Sequence, residues 1–323
     1  MKYSQIDSPG SSVHLAEAEN FYAVICLRHE GRGPALGGCR LLEYPSRLAV
    51  QEEAIRLAGA MSEKAIAARV HYDGGKAVIM RPPGEFDRLK LLQRFAGFVE
   101  HLQGRYITTV DSGTTPEDMA VIRRSTSYVT GFINAIQPYY DPSPSTAYGV
   151  MQGMRAAIKA KLGHEDFHKL HIAVQGLGNV GYRLAGLLHA AGARLTVSDV
   201  NLDHAQRCAK RLQAELAAPE LIHQVPCDIF SPCALGRILN AFTIGQLKCR
   251  IVAGAANDQL ANPGVAGQLN ELGISYVPDY LINAGGLIHL DCLLRDQGIQ
   301  TIEQEVDKIY GRVSTVLTTA QNR

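Results

Sequence analysis

The sequence has almost no net charge: across 323 residues, 32 Lys and Arg face 31 Asp and Glu, leaving +1. No global basic field is available to hold nucleic acid or an anionic membrane, so neither is expected as a partner. Long apolar runs are missing too. No stretch reaches the roughly 18 apolar residues of a membrane span. Residues 1–10 are polar and offer no apolar core for a secretory signal. The seven cysteines (Cys26, Cys39, Cys208, Cys227, Cys233, Cys249 and Cys292) are odd in number and form no C-x-x-C. That argues against a disulfide framework or a Cys-rich zinc site, and for reduced thiols in a cytoplasmic protein. Internal repeats and low-complexity tracts are absent. Hydrophobic residues at 46% and charged residues at 20% place the chain among ordinary globular proteins and outside the disordered class. The length suggests about two domains at roughly 100–200 residues each.

What is present is organised. Residues 21–27 (FYAVICL), 76–80 (KAVIM) and 105–111 read as strands. Residues 47–61 and 86–102 carry helical apolar stripes, and Thr115-Pro116-Glu117-Asp118 opens a third helix. A Pro/Ser-rich stretch at 137–145 (QPYYDPSPS) predicts an interdomain linker. From 170 onward short apolar strands alternate with helices: strands at 170–175, 194–199, 250–256 and 275–277, helices at 179–191, 203–217 and 264–272. This alternation predicts a parallel doubly wound sheet. The stripe at 301–320 predicts a last helix that packs back across a cleft onto the first domain.

Gly176-Leu177-Gly178-Asn179-Val180-Gly181 is a G-x-G-x-x-G directly after the strand LHIAVQ and at the head of a helix. Gly176 would allow the tight turn, Gly178 a close approach to a pyrophosphate, and Gly181 close helix–strand packing. Asp199 ends the next strand and would accept from a ribose 2′-hydroxyl while repelling a 2′-phosphate, which favours NAD over NADP. A purely structural glycine turn is the plainer alternative. Lys76 follows Gly74-Gly75 and Lys64 ends a helix. A lysine buried beside glycines can lose its proton and act as a base, although most lysines are surface charges. Asp111 closes a strand before Ser112-Gly113-Thr114-Thr115, a placement that suits a cleft carboxylate or a turn cap equally. His164-Glu165-Asp166-Phe167-His168 matches the zinc string H-E-x-x-H but follows a helix-end signal, and reads as a connection.

Taken in order, GPALGGCR at 33–40, MSEKA around Lys64, GGKA at 74–77 and RYITTVDSGTT at 105–115 form one set of motifs. DPSPSTAYG at 141–149, VQGLGNVG, CDIFSPCALG at 227–236, AGAANDQL and PDYLINAGG at 278–286 form another. The whole series resembles the glutamate/leucine/phenylalanine/valine amino-acid dehydrogenases, with the leucine type nearest. The resemblance implies two domains around a cleft: an α/β substrate domain at 1–140, and a Rossmann domain at 141–305 that binds NAD, with a terminal helix at 306–323 returning to the first. It implies reversible oxidative deamination of an L-amino acid to a 2-oxo acid and ammonia, by a homo-oligomer.

By the same resemblance Lys76 is the catalytic base, Lys64 holds the substrate carboxylate, and Asp111 shuttles protons. Leu36, Gly37, Gly38, Thr109, Asp258, Leu287 and Leu290 line the substrate. Thr146, Ala255, Asn257 and Asn283 join the glycine turn and Asp199 on the cofactor. The lining is mostly aliphatic, which favours a leucine- or valine-like substrate over an aromatic one; an aromatic dehydrogenase or a weakly catalytic NAD-binding homologue are the alternatives. Three positions depart from the family pattern. Asp73 stands where a glycine is usual; Asp tolerates a left-handed backbone better than most residues, yet it adds a charge near the base. Asp258 stands for an asparagine, and His289 replaces another.

Overall fold

The computed structural model describes residues 1–132, 141–234 and 236–321. They divide into two units, Met1–Asp141 with Leu293–Asp296 and Pro142–Cys292 with Gln297–Arg323.

The first unit is built on β1 (Lys2–Ser8), β2 (Ser11–Ala18), β3 (Phe21–Arg28), β4 (Ala35–Leu42), β5 (Asp73–Met80) and β6 (Tyr106–Val110), with α1 (Arg47–Ala68), α2 (Arg88–His101) and α3 (Pro116–Arg123). Its sheet runs β1-β2-β3-β5-β4-β6. The first three strands and β5 pair antiparallel, whereas β4 lies parallel to both β5 and β6. Side chains alternate across each strand, and each face has its own cover. Ala35, Cys39, Leu41, Ala77, Ile79 and Tyr106 pack with α2 and α3 residues such as Phe95, Phe98, Met119 and Ile122. On the opposite face Val24, Cys26 and Val78 meet Val50, Ala54 and Ala58 of α1. Local chemistry sets the helix ends. Ser46 caps α1 by accepting from the Ala49 N–H, and Thr115 with Asp118 forms a capping box on α3 behind Pro116.

The second unit holds α4 (Ser143–Leu162), β7 (His171–Gln175), α5 (Asn179–Ala190), β8 (Arg194–Ser198), α6 (Leu202–Leu212), β9 (Glu215–Leu216), β10 (Ile229–Pro232), α7 (Ala241–Ile244), β11 (Ile251–Val252), α8 (Gly264–Glu271), β12 (Ser275–Tyr276), α9 (Asp279–Ile282), α10 (Gly285–Leu294) and α11 (Ile299–Gln321). The strand order β12-β11-β10-β7-β8-β9 is parallel throughout. The order reverses between β7 and β10, the switch point at which doubly wound sheets bind ligands.

Some expectations need correction. The terminal helix packs within the second unit, on α4. Tyr148 and Gln152 of α4 donate to Asp307 at 2.6 and 2.7 Å. A Cβ at Gly149 would stand 2.7 Å from Ile309 Cδ1, and one at Gly153 3.4 Å from Val313 Cγ2. The small residues of α4 form a groove that the apolar stripe of α11 fills. A stripe states that a helix buries a face, not which surface receives it. Of the linker expected at 137–145, residues 137–140 lie outside the described residues, and 143–145 already form the first turn of α4, with proline tolerated there. The helix expected at 203–217 stops at Leu212, where Gln213 turns left-handed and Glu215–Leu216 pairs with β8. Among the described residues no helix is long and apolar enough to cross a membrane.

Candidate active site

Strand alternation puts Leu36, Gly38 and Arg40 of β4, Lys76 of β5 and Thr109 of β6 on the α1 face, with Asp111 one residue beyond β6. Gly38 pairs with Thr109, and Cys39 with Ala77, so Gly38 lies between Lys76 and Asp111. A Cβ on Gly38 would stand 2.7 Å from Asp111 Cβ and 3.2 Å from Lys76 Nζ. Gly37 and Gly74 are equally closed, against the Gly75 carbonyl and the Ser62 backbone, and a Cβ on Gly75 would meet Tyr106 at 2.9 Å. Tyr106 Oη donates to the Gly37 carbonyl at 2.6 Å. The glycines therefore let three strands and α1 close around one lysine.

Lys76 is 6% exposed, and its Nζ forms an ion pair with Asp111 Oδ2. Arg40 Nε donates to the same oxygen at 3.0 Å, while Arg40 Nη1 reaches Glu53 Oε1 at 2.6 Å. Arg56 Nη2 holds the other Glu53 oxygen at 2.9 Å. The Asp111 backbone is fixed by Thr114, whose Oγ1 accepts from the Asp111 N–H at 2.9 Å and contacts the Cys39 carbonyl at 2.8 Å. Burial lowers the Lys76 pKa below 10.5 despite the attraction of Asp111, with Arg40 adding to the lowering. Burial alone would raise Asp111, but Lys76 and Arg40 bring it down to about 2. Arg40 and Glu53 were not singled out from the sequence. The signal available was period-two spacing, since Arg40 shares a strand face with Gly38.

Lys64 lies near the end of α1, half-buried. It follows Ser62, whose backbone packs against Gly74, two residues before Lys76. Leu36 is 1% exposed, and the Thr109 hydroxyl is buried with no hydrogen-bond partner. Asp73 does not use a left-handed backbone. Its carboxylate accepts from the N–H groups of Glu30, Gly31 and Arg32 at 3.0, 3.3 and 3.0 Å, binding the loop that leads into β4.

In the second unit Gly176 has φ +91°, and a Cβ there would strike Ala234, just after β10. Gly181 is closed by the Gly176 carbonyl and Cys233. Gly178 differs: a Cβ there meets nothing within 4 Å. It is the N-cap of α5, with no side-chain cap over the N–H groups that follow. An open glycine beside an uncapped helix N-terminus at the switch point fits a bound pyrophosphate. Asp199 Oδ2 accepts from the Leu177 N–H at 2.7 Å, and Oδ1 from the Asn201 N–H at 2.8 Å.

The family model described as "Glu/Leu/Phe/Val dehydrogenase, dimerisation domain" matches residues 12–128. "Glutamate/Leucine/Phenylalanine/Valine dehydrogenase" matches 140–202 and 197–317. The chain belongs to the Glu/Leu/Phe/Val dehydrogenase family. It is 42% identical to leucine dehydrogenase of Bacillus subtilis over 94% of this chain and 84% of that protein. It is 39% identical to phenylalanine dehydrogenase of Bacillus thermotolerans, over 90% of this chain and 78% of that one. The crystal structure of L-tryptophan dehydrogenase from Nostoc punctiforme superposes with a TM-score of 0.81 at 36% identity, covering 96% and 90% of the two chains. As a member of this family the chain is an amino-acid dehydrogenase, an oxidoreductase with a Rossmann-like domain.

The remaining family positions fall as follows. Asn283 Nδ2 bridges the Ala255 carbonyl at 3.1 Å and Asn257 Oδ1 at 2.9 Å, while its own Oδ1 is buried without a partner. Thr146, in the first turn of α4, donates to the Pro142 carbonyl at 3.1 Å. Asp258 has φ +51°, a left-handed backbone that Asn and Asp adopt more readily than most residues. Leu287 and Leu290, three apart on α10, share a face, each 7% exposed. His289, between them in sequence but off their shared face, is buried, and its Nδ1 lies 2.8 Å from Ser145 Oγ. The H-E-x-x-H residues form no helix. They lie in the connection between α4 and β7, where His164 Nδ1 accepts from the Asp166 N–H at 3.3 Å.

Proposed function

We propose that the chain catalyses reversible, NAD-dependent oxidative deamination of branched-chain aliphatic L-amino acids, yielding the 2-oxo acid and ammonia. The carrying observation is the buried Lys76–Asp111 pair, set on bare glycine backbone beside Arg40. NAD, when bound, would supply the acceptor for the hydride of the substrate α-carbon. Gly176, Gly178, Asn179, Val180 and Gly181 would hold its pyrophosphate, Asp199 its ribose, and Thr146, Ala255, Asn257 and Asn283 would complete that side. The free glycine at 178 and the orphaned Asn283 oxygen support this assignment.

Lys64 holds the substrate carboxylate, with the backbone of Gly37 and Gly38 alongside. Lys76, once neutral, takes a proton from the water that adds to the imine carbon. Asp111 moves protons to and from the substrate nitrogen. With a pKa of about 2 it is a weak base while Lys76 is charged, and it gains basicity as Lys76 loses its proton. Leu36, Thr109, Leu287 and Leu290 contact the aliphatic side chain, and Asp258 lies toward the substrate. The likeness to the tryptophan and phenylalanine enzymes favours an aromatic substrate as the second reading. A homo-oligomer is part of the proposal, supported by the family's description of its N-terminal part as a dimerisation domain.

The test is NADH formation at alkaline pH across the twenty L-amino acids, with Lys76→Ala as control. Fastest turnover with leucine or valine is expected. Absence of turnover with every amino acid, despite NAD binding, overturns the reading.

A further inference from the structure

We propose that Arg40 is a positioning residue for the reaction: by sharing Asp111 Oδ2 with Lys76, it holds the carboxylate as an anion and frees Lys76 to serve as the base. This rests on the role proposed for Lys76 above.

A lysine paired with a lone carboxylate keeps its proton, because the anion stabilises the ammonium. That is the wrong direction for a base. Here the anion is not alone. The Arg40 guanidinium, charged at every working pH, sits 3.0 Å from the same oxygen. Asp111 therefore stays ionised until it takes a proton from the substrate nitrogen, and part of its attraction for Lys76 is already neutralised. Burial gives the largest lowering of Lys76, and Arg40 adds to it by repelling the ammonium directly.

The geometry needs an arginine. Nε bonds Asp111 after β6, while Nη1 bonds Glu53 on α1, so one planar group spans two carboxylates on two elements. Arg56 closes the chain on the far side of Glu53. From β4, the Cys39 thiol is pushed up by burial and stays neutral. Tyr44, after β4, is raised to about 12 by burial and by Glu53. Asp118 of α3 is neutralised by Arg88 at 2.6 Å. Lys64 of α1 is the group assigned above to the proposed substrate carboxylate.

The experiment compares Arg40→Gln, Arg40→Lys and Glu53→Gln with the unmodified protein. Lys76 is titrated by NMR of ¹³Cε-labelled lysine, assigned with Lys76→Ala, and the pH dependence of kcat/KM is recorded in parallel. Arg40→Gln is expected to move both the Lys76 titration and the acid limb of kcat/KM to higher pH, by about half a unit or more. Arg40→Lys restores at least half of that shift. Glu53→Gln, which removes the anion balancing Arg40, moves the titration to lower pH. If Arg40→Gln does not fold, the other two variants decide. An unmoved Lys76 titration overturns the inference, as does activity lost equally at every pH. Because the NMR titration needs no turnover, it stands even if the deamination assay fails.

Discussion

The Asp199 carboxylate accepts a hydrogen bond from the Leu177 N–H at 2.7 Å, tying the end of β8 to the glycine turn after β7. An ionised carboxylate has about four lone-pair sites, so this bond and the one from Asn201 leave capacity for a ribose hydroxyl. The side chain thus supports the turn as well as facing the proposed ribose. Asp199→Ser is expected to weaken NAD binding about tenfold or more and to raise use of NADP relative to NAD. It should also lower Tm, since the turn loses an anchor. Titration calorimetry with both nucleotides and a thermal melt check this. Equal preference for the two nucleotides in the unmodified protein would remove the discriminating role.

Asp111 faces two cations, so its loss and the loss of Lys76 should differ. Asp111→Ala leaves Lys76 and Arg40 buried together without their anion. Lys76→Met leaves Asp111 still matched by Arg40. Both variants should be inactive, but Asp111→Ala should cost about 3–5 kcal/mol of stability and Lys76→Met markedly less. Urea denaturation of the two ranks them; a reversed order contradicts the shared-oxygen geometry.

The same pair sets a pH dependence of stability. Asp111 is held at about 2 against its ordinary 3.8, so the folded state binds its proton more weakly than the unfolded chain. Its contribution is complete above 3.8 and falls away as pH drops toward about 2. Lys76 is also lowered, so it too holds its proton less tightly when folded, and its loss of that proton favours stability as pH rises toward 10.5. Urea melts of the unmodified protein and Asp111→Asn should converge as the pH falls through the acid window. A gap that stays constant across that window contradicts the assignment.

Asp73 has a structural task in place of the usual glycine. Asp73→Ala removes the acceptor for three backbone N–H groups, at about 1 kcal/mol or more for each bond to a charged partner. A loss of about 2–4 kcal/mol and faster proteolysis within residues 29–33 are expected. Asp73→Gly should behave the same way, because the backbone at 73 has no left-handed φ that glycine would relieve. Undiminished stability in either variant would refute the tether.

Substrate choice is proposed to depend on Leu287 and Leu290. Leu290→Ala should raise kcat/KM for phenylalanine relative to valine by about tenfold, the scale of one or two methylenes. Unaltered preference would take Leu290 away from the substrate side chain.

Much of the frame was legible in the chain. β3, β5, β6, α1, α2 and α3 follow from apolar spacing and caps, and the glycine turn with Asp199 from its strand–helix context. The exceptions have physical reasons. β4 carries Gly37 and Gly38, which weaken a strand signal because glycine has no side chain to pack. β1 is almost wholly exposed, so it shows no alternating apolar face. β9 and β11 are two residues each, too short for any period to show. At the site, Lys76, Asp111 and Lys64 stood out through motif order. Glu53 did not, because it meets Arg40 only through the packing of α1 on the sheet, 13 positions away in sequence.

The glycine floor around Lys76 has one further consequence. Because Gly37, Gly38, Gly74 and Gly75 touch backbone or ring atoms with no space for a methyl group, change at these positions is all-or-none. Natural variation or laboratory selection has no graded path through them. Any gradual tuning of the lysine must come from the side chains around it, Arg40, Glu53 and Arg56, which act through charge and reach.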